Sequence, residues 1–281
     1  MVSEQEEDLA LLALMGLPTS FGKKKDKSGK RSFQERSQDG QQQTQQSSTT
    51  KSSSKPANQE YHKYYAQRFL LFSLYDYGVM MDDVGWYSVT PEEIAVHVAK
   101  RCACDVIIDA FCGVGGNAIQ FAKTCQFVIA IDIDPVRLAC ARHNAMIYGV
   151  ADKIDFILGD YMTLIPKLKA NVVYIAPPWG GPNYVDSNTF DIKTMIPMDG
   201  EKLYRKTKSI TPNICFCLPK NISFVQVAGL ANLSAIEHDQ GCNSGDAAAG
   251  GEEMCEIEQN VMGQNVKMVT AYYGNLVTTK R

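Results

Sequence analysis

The sequence lacks the features that mark several classes of protein. Among nine cysteines in 281 residues no pair is spaced CxxC, and the four histidines, at 62, 97, 143 and 238, have no metal-ligand spacing. No apolar run approaches the roughly 18–20 residues that span a bilayer. The first residues, MVSEQEEDLALLALMG, are acidic before their apolar stretch, unlike a secretory signal peptide. We therefore expect no metal site and no membrane segment.

Two pairs of cysteines are spaced CxC, at Cys102/Cys104 and Cys215/Cys217. Alternate residues of a strand face the same way, so each pair could present two thiolates together. Reduced, buried cysteines of an intracellular protein are the favoured interpretation.

Residues 1–56 differ in composition from the rest of the chain. From Gln38 to Ser54 nearly every residue is Gln, Ser or Thr, which cannot bury enough apolar surface to offset its ordering entropy. We predict a disordered tail over 1–56, interrupted by a short amphipathic helix over 5–15. Residues 23–31, KKKDKSGKR, are basic, which fits either a solvated tail or a nuclear-localisation or RNA-tethering segment.

Charge separates the tail from the remainder. Residues 20–56 carry nine basic and three acidic residues, a net charge of +6, whereas residues 57–281 carry 19 basic and 24 acidic residues, a net charge of -5. A net acidic core does not offer a broad nucleic-acid-binding surface. An RNA substrate would therefore have to be held at a local pocket.

From residue 102 onward, short apolar runs alternate with helical segments, which predicts a mostly parallel sheet with helices on both faces. The expected strands cover 106–109, 126–132, 153–158, 171–176 and 214–218, followed by an antiparallel hairpin formed by EIEQNV and VKMVTAYYG. We predict two or three helices over 57–101, the last opened by Pro91. The core is then 102–281, with 234–255 as a flexible acidic insertion.

The first expected strand runs into a glycine-rich turn, DAFCGVGGNAIQFA, at 109–122. Glycine there lets the backbone approach a ligand closely, and the following helix offers free N–H groups. Because ligands of open α/β sheets bind at the carboxyl ends of the strands, we expect a cofactor here. The turn alone also fits dinucleotide enzymes.

Three later features narrow the choice of cofactor. Asp132 ends the second strand at a spacing suited to a ribose diol, and Asp160 ends the third, where it could meet an adenine amine. The fourth strand runs into APPWGGPNY, at 176–184, a Pro-Pro-aromatic turn of the kind found in amino-methyltransferases. Together with the glycine turn, these features predict a class I S-adenosylmethionine-dependent methyltransferase with a Rossmann-like, seven-stranded sheet and a small N-terminal helical extension.

Across residues 60–281 the sequence resembles the trimethylguanosine synthase family of RNA cap guanine-N2 methyltransferases. The resemblance is carried by KYYAQRFLLFSLYDYG (63–78), GWYSVTPEEIA (85–95), the glycine turn, VIAIDIDP (128–135), APPWGGPNY and the two terminal segments EIEQNV and TAYYG. It implies transfer of methyl groups from S-adenosylmethionine to the exocyclic N2 of a 7-methylguanosine cap, giving 2,7-dimethyl- or 2,2,7-trimethylguanosine caps on small nuclear and nucleolar RNAs.

The resemblance also implies roles for individual residues. Pro177 and Trp179 would form the catalytic turn, with Trp179 stacked on the cationic base. That the Pro177 carbonyl holds the target amine is our own inference, drawn from the residue at position 176. Lys63, Tyr184 and Arg205 would contact the cap phosphates, although a solvated helix face is an alternative for Arg205. The cofactor would be bound by the remaining candidates, Thr90, Asp109, Phe111, Gly113, Gly115, Asn117, Asp132, Asp160 and Pro177.

One residue departs from the family pattern. Ala176 stands where the family often has Ser, so a side-chain acceptor for the target amine is missing. Three alternatives to the cap enzyme stay open: an amino-methyltransferase acting on another nucleic-acid base or on protein glutamine, a cap-binding adaptor without catalysis, and a scaffold for ribonucleoprotein assembly whose main role lies in the tail. We expect a monomer that acts in the nucleus, including the nucleolus, and also in the cytoplasm, with ribonucleoprotein partners recruited by the tail.

Overall fold

The structure, a computed structural model, describes residues 62–181, 189–194, 198–235 and 253–278. All of them belong to the unit Lys55–Arg281. The expected tail over 1–56, its helix over 5–15, its basic run and most of the expected insertion over 234–255 lie outside the described residues.

Seven strands form one sheet in the order β3-β2-β1-β4-β5-β7-β6. The first five are parallel to one another, and β7 runs antiparallel to both β5 and β6. The predicted fold class and the terminal hairpin are therefore confirmed. The strands are β1 Val106–Asp109, β2 Phe127–Asp132, β3 Ile154–Leu158, β4 Val172–Ile175, β5 Ile214–Pro219, β6 Cys255–Met262 and β7 Asn265–Tyr273.

Helices return the chain from the carboxyl end of each parallel strand to the amino end of the next. Most begin at a polar cap: Asp134 accepts hydrogen bonds from the backbone of Val136 and Arg137, and Asp199 accepts one from Lys202. These helices are α5 Gly116–Thr124, α6 Pro135–Ile147, α7 Tyr161–Leu164, α8 Gly200–Lys208 and α9 Phe224–Gly229.

The helical extension differs from the prediction. Instead of two or three helices, its described part contains four, α1 His62–Tyr65, α2 Arg68–Leu71, α3 Gly85–Ser88 and α4 Glu92–Arg101. The first three have four residues each, so they carry no hydrophobic period that a sequence could reveal. Pro91 stands at the N-cap of α4, directly before its first helical residue.

Arg101, the last residue of α4, joins the extension to the terminal hairpin. Its guanidinium lies 3.0 Å from a carboxylate oxygen of Glu256 and donates to the Leu276 carbonyl at 3.0 Å. The same group lies 4.0 Å from the ring centroid of Tyr272, a cation–π distance. These contacts of the Arg101 guanidinium hold the end of α4 against β7.

The core lies on both faces of the sheet. Every residue of β4 and β5 is buried, as are Ile107 and Ile108 of β1. Each fully buried aliphatic side chain of this kind contributes about 1.5–3 kcal/mol, as an upper bound. Strands covered on both faces leave their carboxyl ends as the open edge, and that edge carries the site.

The cysteines of the described residues are free thiols, and most are buried. Cys104 and Cys255 are partly exposed. In the same part of the chain no helix is long and apolar enough to cross a membrane.

Candidate active site

The glycine-rich turn follows β1 directly. Gly113 and Gly115 have φ values of 55° and 90°, in the left-handed region that favours glycine. At Gly115 a Cβ would come within 3.1 Å of Ala141, so a side chain would also meet α6. The turn therefore needs glycine at Gly115 for two reasons, conformation and close packing.

Asp109, the last residue of β1, is fully buried. Within the described residues, neither oxygen of its carboxylate accepts a hydrogen bond. Burial and the neighbouring negative charge of Asp132 raise its pKa to about 7, although the backbone N–H groups of Phe111 and Ala118, which face the carboxylate without good hydrogen-bond geometry, lower it in part. A buried carboxyl group without a partner is costly, so this position suits a ligand that brings a positive charge or N–H donors.

Asp132, the last residue of β2, has backbone partners on both oxygens. It accepts from the Gly113 N–H at 2.8 Å and from the Asp134 N–H at 2.9 Å. Burial nevertheless raises its pKa. These bonds fix the carboxylate against the glycine turn and leave further lone pairs, which hydroxyl groups of a sugar could use.

Thr90 and Asn117 connect the extension to the start of α5. The Asn117 amide donates to the Thr90 hydroxyl at 2.9 Å, and both side chains are buried. In the described part of the chain, the Asn117 carbonyl oxygen accepts no hydrogen bond. It is thus a second buried acceptor without a partner at the glycine turn.

Asp160 follows the third strand, and Phe111 of the glycine turn packs against the next residue, Tyr161. Asp160 caps α7 through the Met162 N–H, at 2.9 Å. The ring of Phe111 meets that of Tyr161 edge to face, with centroids 5.7 Å apart, and the Tyr161 hydroxyl lies 3.0 Å from that of Thr207. These contacts fix Phe111 of the turn relative to α7.

This donor and acceptor set fits the cofactor that the sequence predicts. Asp109 and Asn117 offer buried acceptors without partners, which suit a cationic amino acid moiety. Asp132 and Asp160 lie at the ends of the next two strands, where a nucleoside would follow. S-adenosylmethionine carries both parts, so the residues present fit it. Nowhere in the described ranges do three or more His, Cys, Asp or Glu side chains gather as a metal site would require.

The turn after β4 carries the Pro-Pro-Trp sequence. Pro177 is buried, Pro178 is exposed, and Trp179 is partly buried against the central core. Gly180 and Gly181 follow with φ values of 86° and 85°. The methyl side chain of Ala176 offers no polar group to a substrate, so the departure from the family pattern stands in the structure as well.

The predicted phosphate contacts are not brought together. Lys63 is exposed, with its ammonium 4.8 Å from the ring centroid of its neighbour Tyr64. Arg205 of α8 donates from Nε to the Ser234 carbonyl at 3.0 Å, so that part of its guanidinium is already used. Tyr184 lies outside the described residues. These three assignments therefore stay predictions.

Sequence reasoning missed Asn144, which no motif marks. This fully buried side chain of α6 accepts from the Met80 N–H at 2.8 Å and donates to the carbonyls of Met80 and Val114, both at 2.9 Å. It thereby ties the glycine turn to the extension. A polar residue on an apolar helix face was the only available signal.

A second missed contact is an ion pair. Arg137 of α6 lies 3.0 Å from the carboxylate of Asp82, which also accepts from the Gly85 N–H at 2.7 Å. This pair fixes the start of α3 beside the helix that follows Asp132. The two residues are far apart in sequence, so their spacing gave no signal.

Comparison with known proteins agrees with this geometry. Residues 104–276 match the sequence model of the family described as RNA cap guanine-N2 methyltransferase. The chain is 37% identical to the trimethylguanosine synthase of Schizosaccharomyces pombe over 188 residues, 63% of this chain and 78% of that protein. It is 36% identical to the trimethylguanosine synthase of Saccharomyces cerevisiae over 183 residues, 61% of this chain and 58% of that protein.

A solved structure from Porphyromonas gingivalis W83, described as a methyltransferase, shares the fold. It superposes with a TM-score of 0.54 at 13% identity, covering 81% of this chain and 53% of that one. The superposition shows the fold alone, and the family match over more than half of the chain shows that this chain belongs to the RNA cap guanine-N2 methyltransferase family and is an S-adenosylmethionine-dependent enzyme.

Proposed function

We propose that the chain methylates the exocyclic N2 of a 7-methylguanosine RNA cap, giving 2,7-dimethyl- or 2,2,7-trimethylguanosine. The observation that carries the proposal is the position of Trp179, in a Pro-Pro-Trp turn at the same open edge of the sheet as the unpartnered carboxylate of Asp109. The names of the two yeast relatives, trimethylguanosine synthase, support the substrate and the product. The chain spans only 58% of the longer of those relatives, so its substrates are inferred.

The indole of Trp179 would recognise the cap base by its charge. Methylation at N7 makes the guanine ring cationic, and a cation over an indole face gains a cation–π attraction in addition to stacking. Together these are worth about 1–3 kcal/mol. Unmethylated guanine lacks the charge, which would make prior N7 methylation a requirement.

The residues of the chain bind and orient the reactants. When bound, S-adenosylmethionine supplies a methyl group already activated by its sulfonium sulfur. Asp109 and Asn117 would hold its amino acid end, Asp132 its ribose and Asp160 its adenine. Holding the N2 amine in line with the methyl carbon is then the main requirement for transfer. Ala176 contributes no side-chain acceptor, so the Pro177 carbonyl is the proposed acceptor for the N2 hydrogen.

Proton removal needs no dedicated base in this scheme. The cationic ring makes the N2–H more acidic, so the proton can leave to water as the new bond forms. APPWGGPNY contains no histidine or carboxylate that would serve as a base.

The test uses labelled S-adenosylmethionine with either m7GTP or GTP. We expect label in m7GTP alone, at N2 when the product is digested and separated. Equal labelling of m7GTP and GTP, or labelling of neither, would contradict the proposed cap methylation. Labelling of a different acceptor would favour another amino-methyltransferase. Counting one or two methyl groups per cap in the same experiment decides between the two products.

We further propose that the RNAs are small nuclear and nucleolar RNAs, that the enzyme acts in the nucleus, and that the basic run over 23–31 contributes to this location. The support is the composition of that run, six basic residues with one acidic residue. Deleting 23–31 should shift a fluorescent fusion toward the cytoplasm, and an unchanged distribution would contradict this role.

A further inference from the structure

We propose that exposed residues at the carboxyl ends of β4 and β5 form a track for the single-stranded RNA that adjoins the cap. The lysine patch, as we call it, consists of Lys193, Lys202, Lys220 and Phe224. The inference rests on the proposed function, because it assumes that the cap base is held at Trp179. It adds a second contact region, which would distinguish capped RNA from the isolated cap.

The patch lies on the same edge of the sheet as Trp179. Lys220 follows the last residue of β5, and Trp179 follows β4 by only four residues. Lys202 is in the first turn of α8, whose N-terminus lies at this edge because α8 returns the chain to the amino end of β5. The carboxyl ends of β4 and β5 are neighbours, since the two strands pair in parallel.

Direct contacts join the parts of the patch into one surface. The Lys193 ammonium lies 3.6 Å from Glu201, at the start of α8. The short turn that carries Lys193 is bound to the other side as well: Phe190 pairs with Ile222, and the Gln226 side chain accepts from the Ile192 N–H at 3.2 Å. Lys193 therefore lies between Lys202 on α8 and the Lys220–Phe224 segment.

The charges at this edge differ in how they are paired. Residues 189–222 carry six basic and three acidic residues, but Arg205, Lys206 and Lys208 lie in the last turn of α8, so at the edge itself three lysines accompany three acids, one of which, Glu201, pairs with Lys193. Two of the three acids are occupied by the backbone: Asp191 accepts from the Lys193 N–H and Asp199 caps α8. Within the described ranges, no acid pairs with the ammonium of Lys202 or Lys220. These cations are available to phosphates.

An exposed aromatic ring accompanies the lysines. Phe224 is 42% exposed and its neighbour Val225 is 84% exposed, although both begin a helix that packs on the core. Cationic side chains interleaved with an exposed aromatic ring are typical of surfaces that bind single-stranded nucleic acid, because the lysines meet phosphates and the ring stacks on a base. An acidic peptide would use the lysines but gain nothing from Phe224, so we favour RNA.

The test compares two substrates, m7GTP and a 12-nucleotide m7G-capped RNA, in the full-length protein. The variant Lys193→Gln/Lys202→Gln/Lys220→Gln should raise KM for the capped RNA about tenfold and leave KM for m7GTP unchanged. Three lost phosphate contacts should also reduce the slope of log Kd against log salt by about 2 for the RNA. Phe224→Ala should raise the RNA KM about fivefold.

The matched control is Lys100→Gln/Lys153→Gln/Lys169→Gln. These three lysines are exposed and lie near the amino ends of strands, so the control makes the same change in net charge at the opposite edge. It should leave both KM values unchanged. An equal effect of the two triple variants would show general electrostatics instead of a track, and would overturn the inference.

Other outcomes separate the inference from the proposed function. Unchanged RNA kinetics in the patch variant, or equal losses with m7GTP and RNA, would overturn the track while the cap activity stands. If the wild-type chain methylates neither substrate, the proposed function fails, and binding of the same RNA measured by fluorescence polarisation decides the track. In that binding measurement, a lower RNA affinity of the patch variant than of the wild type supports the track. Equal RNA affinity of the two proteins, or a preference of the wild type for a polyglutamate peptide over the RNA, overturns the track.

Discussion

The two halves of the site are built differently. On the cofactor half, Asp132 and Asn117 are buried and held by backbone or side-chain hydrogen bonds before any ligand arrives. On the substrate half, Trp179 is partly buried and the lysines of the lysine patch are exposed, with Lys193 in an ion pair with Glu201. The first half is preorganised, and the second is an open surface.

This difference predicts which half of the site contributes most binding energy per residue. Changing one atom of a preorganised buried group removes its full contribution to the binding free energy, because the ligand group that it contacted is then buried without a partner. Exposed cations contribute additively and weakly, and salt screens them. Single substitutions should therefore have large effects on cofactor affinity and graded effects on RNA affinity.

The largest expected effect comes from Asp109→Asn. Removing the buried charge should weaken S-adenosylmethionine binding at least about 30-fold, since truncating one partner of a buried charge pair costs about 2–5 kcal/mol. Isothermal titration calorimetry measures it. Asp155→Asn, which changes an exposed carboxylate on β3 of the same sheet, is the matched control and should bind normally. Normal binding by Asp109→Asn would show that the cofactor half is not organised around this group.

Asp109 should also make cofactor affinity and the free energy of unfolding depend on pH. With the Asp109 pKa raised to about 7, cofactor affinity of the wild type should increase as the pH rises through 7, because the ionised form binds the cation. The folded state without ligand holds this proton more tightly than the unfolded state, so the free energy of unfolding should decrease between about pH 4 and 7. Asp109→Asn should lack both contributions in calorimetry and thermal melts. Parallel profiles for variant and wild type would contradict the assignment.

An intermediate effect is expected for Trp179→Ala, on the substrate half. Loss of stacking and of the cation–π attraction should weaken m7GTP binding about 10- to 100-fold and leave S-adenosylmethionine affinity unchanged. Fluorescence quenching or calorimetry with each ligand measures both values. Trp179→Phe keeps an aromatic face and should retain part of the affinity. If cofactor binding fell along with cap binding, the two halves would not be separable.

The smallest effect on binding is expected for Asn144→Leu, which tests how the cofactor half is supported. The substitution leaves the Met80 and Val114 backbone groups without their buried partner, which should lower the free energy of unfolding by about 2 kcal/mol. KM for S-adenosylmethionine should rise several-fold, because Val114 belongs to the glycine turn, while KM for m7GTP should not change. Asn232→Leu, at an exposed position, is the control. Loss of stability with both KM values unchanged would make Asn144 purely structural.

The sequence predicted the sheet well because its signals are local. Apolar runs end where strands end, so β1 matched its predicted bounds and Asp109 and Asp132 were placed at strand ends. The glycine turn is equally local. Asn144 lies 64 residues from Met80 and Arg137 lies 55 residues from Asp82, and no spacing rule connects these residues. The short helices of the extension carry no period, and the lysine patch is assembled from three separate segments.

The Arg101 contacts have a consequence for biosynthesis. Glu256 and Leu276, its partners, follow it in the chain by 155 and 175 residues. While the protein emerges from the ribosome, α4 is made early, but Arg101 cannot reach Glu256 until residue 256 has left the exit tunnel, nor Leu276 until residue 276 has. Helix α4, which begins directly after Pro91, is thus anchored at Arg101 only when synthesis of the hairpin is complete. The cofactor site, to which Thr90 belongs, is therefore completed after the residues that form it have been translated.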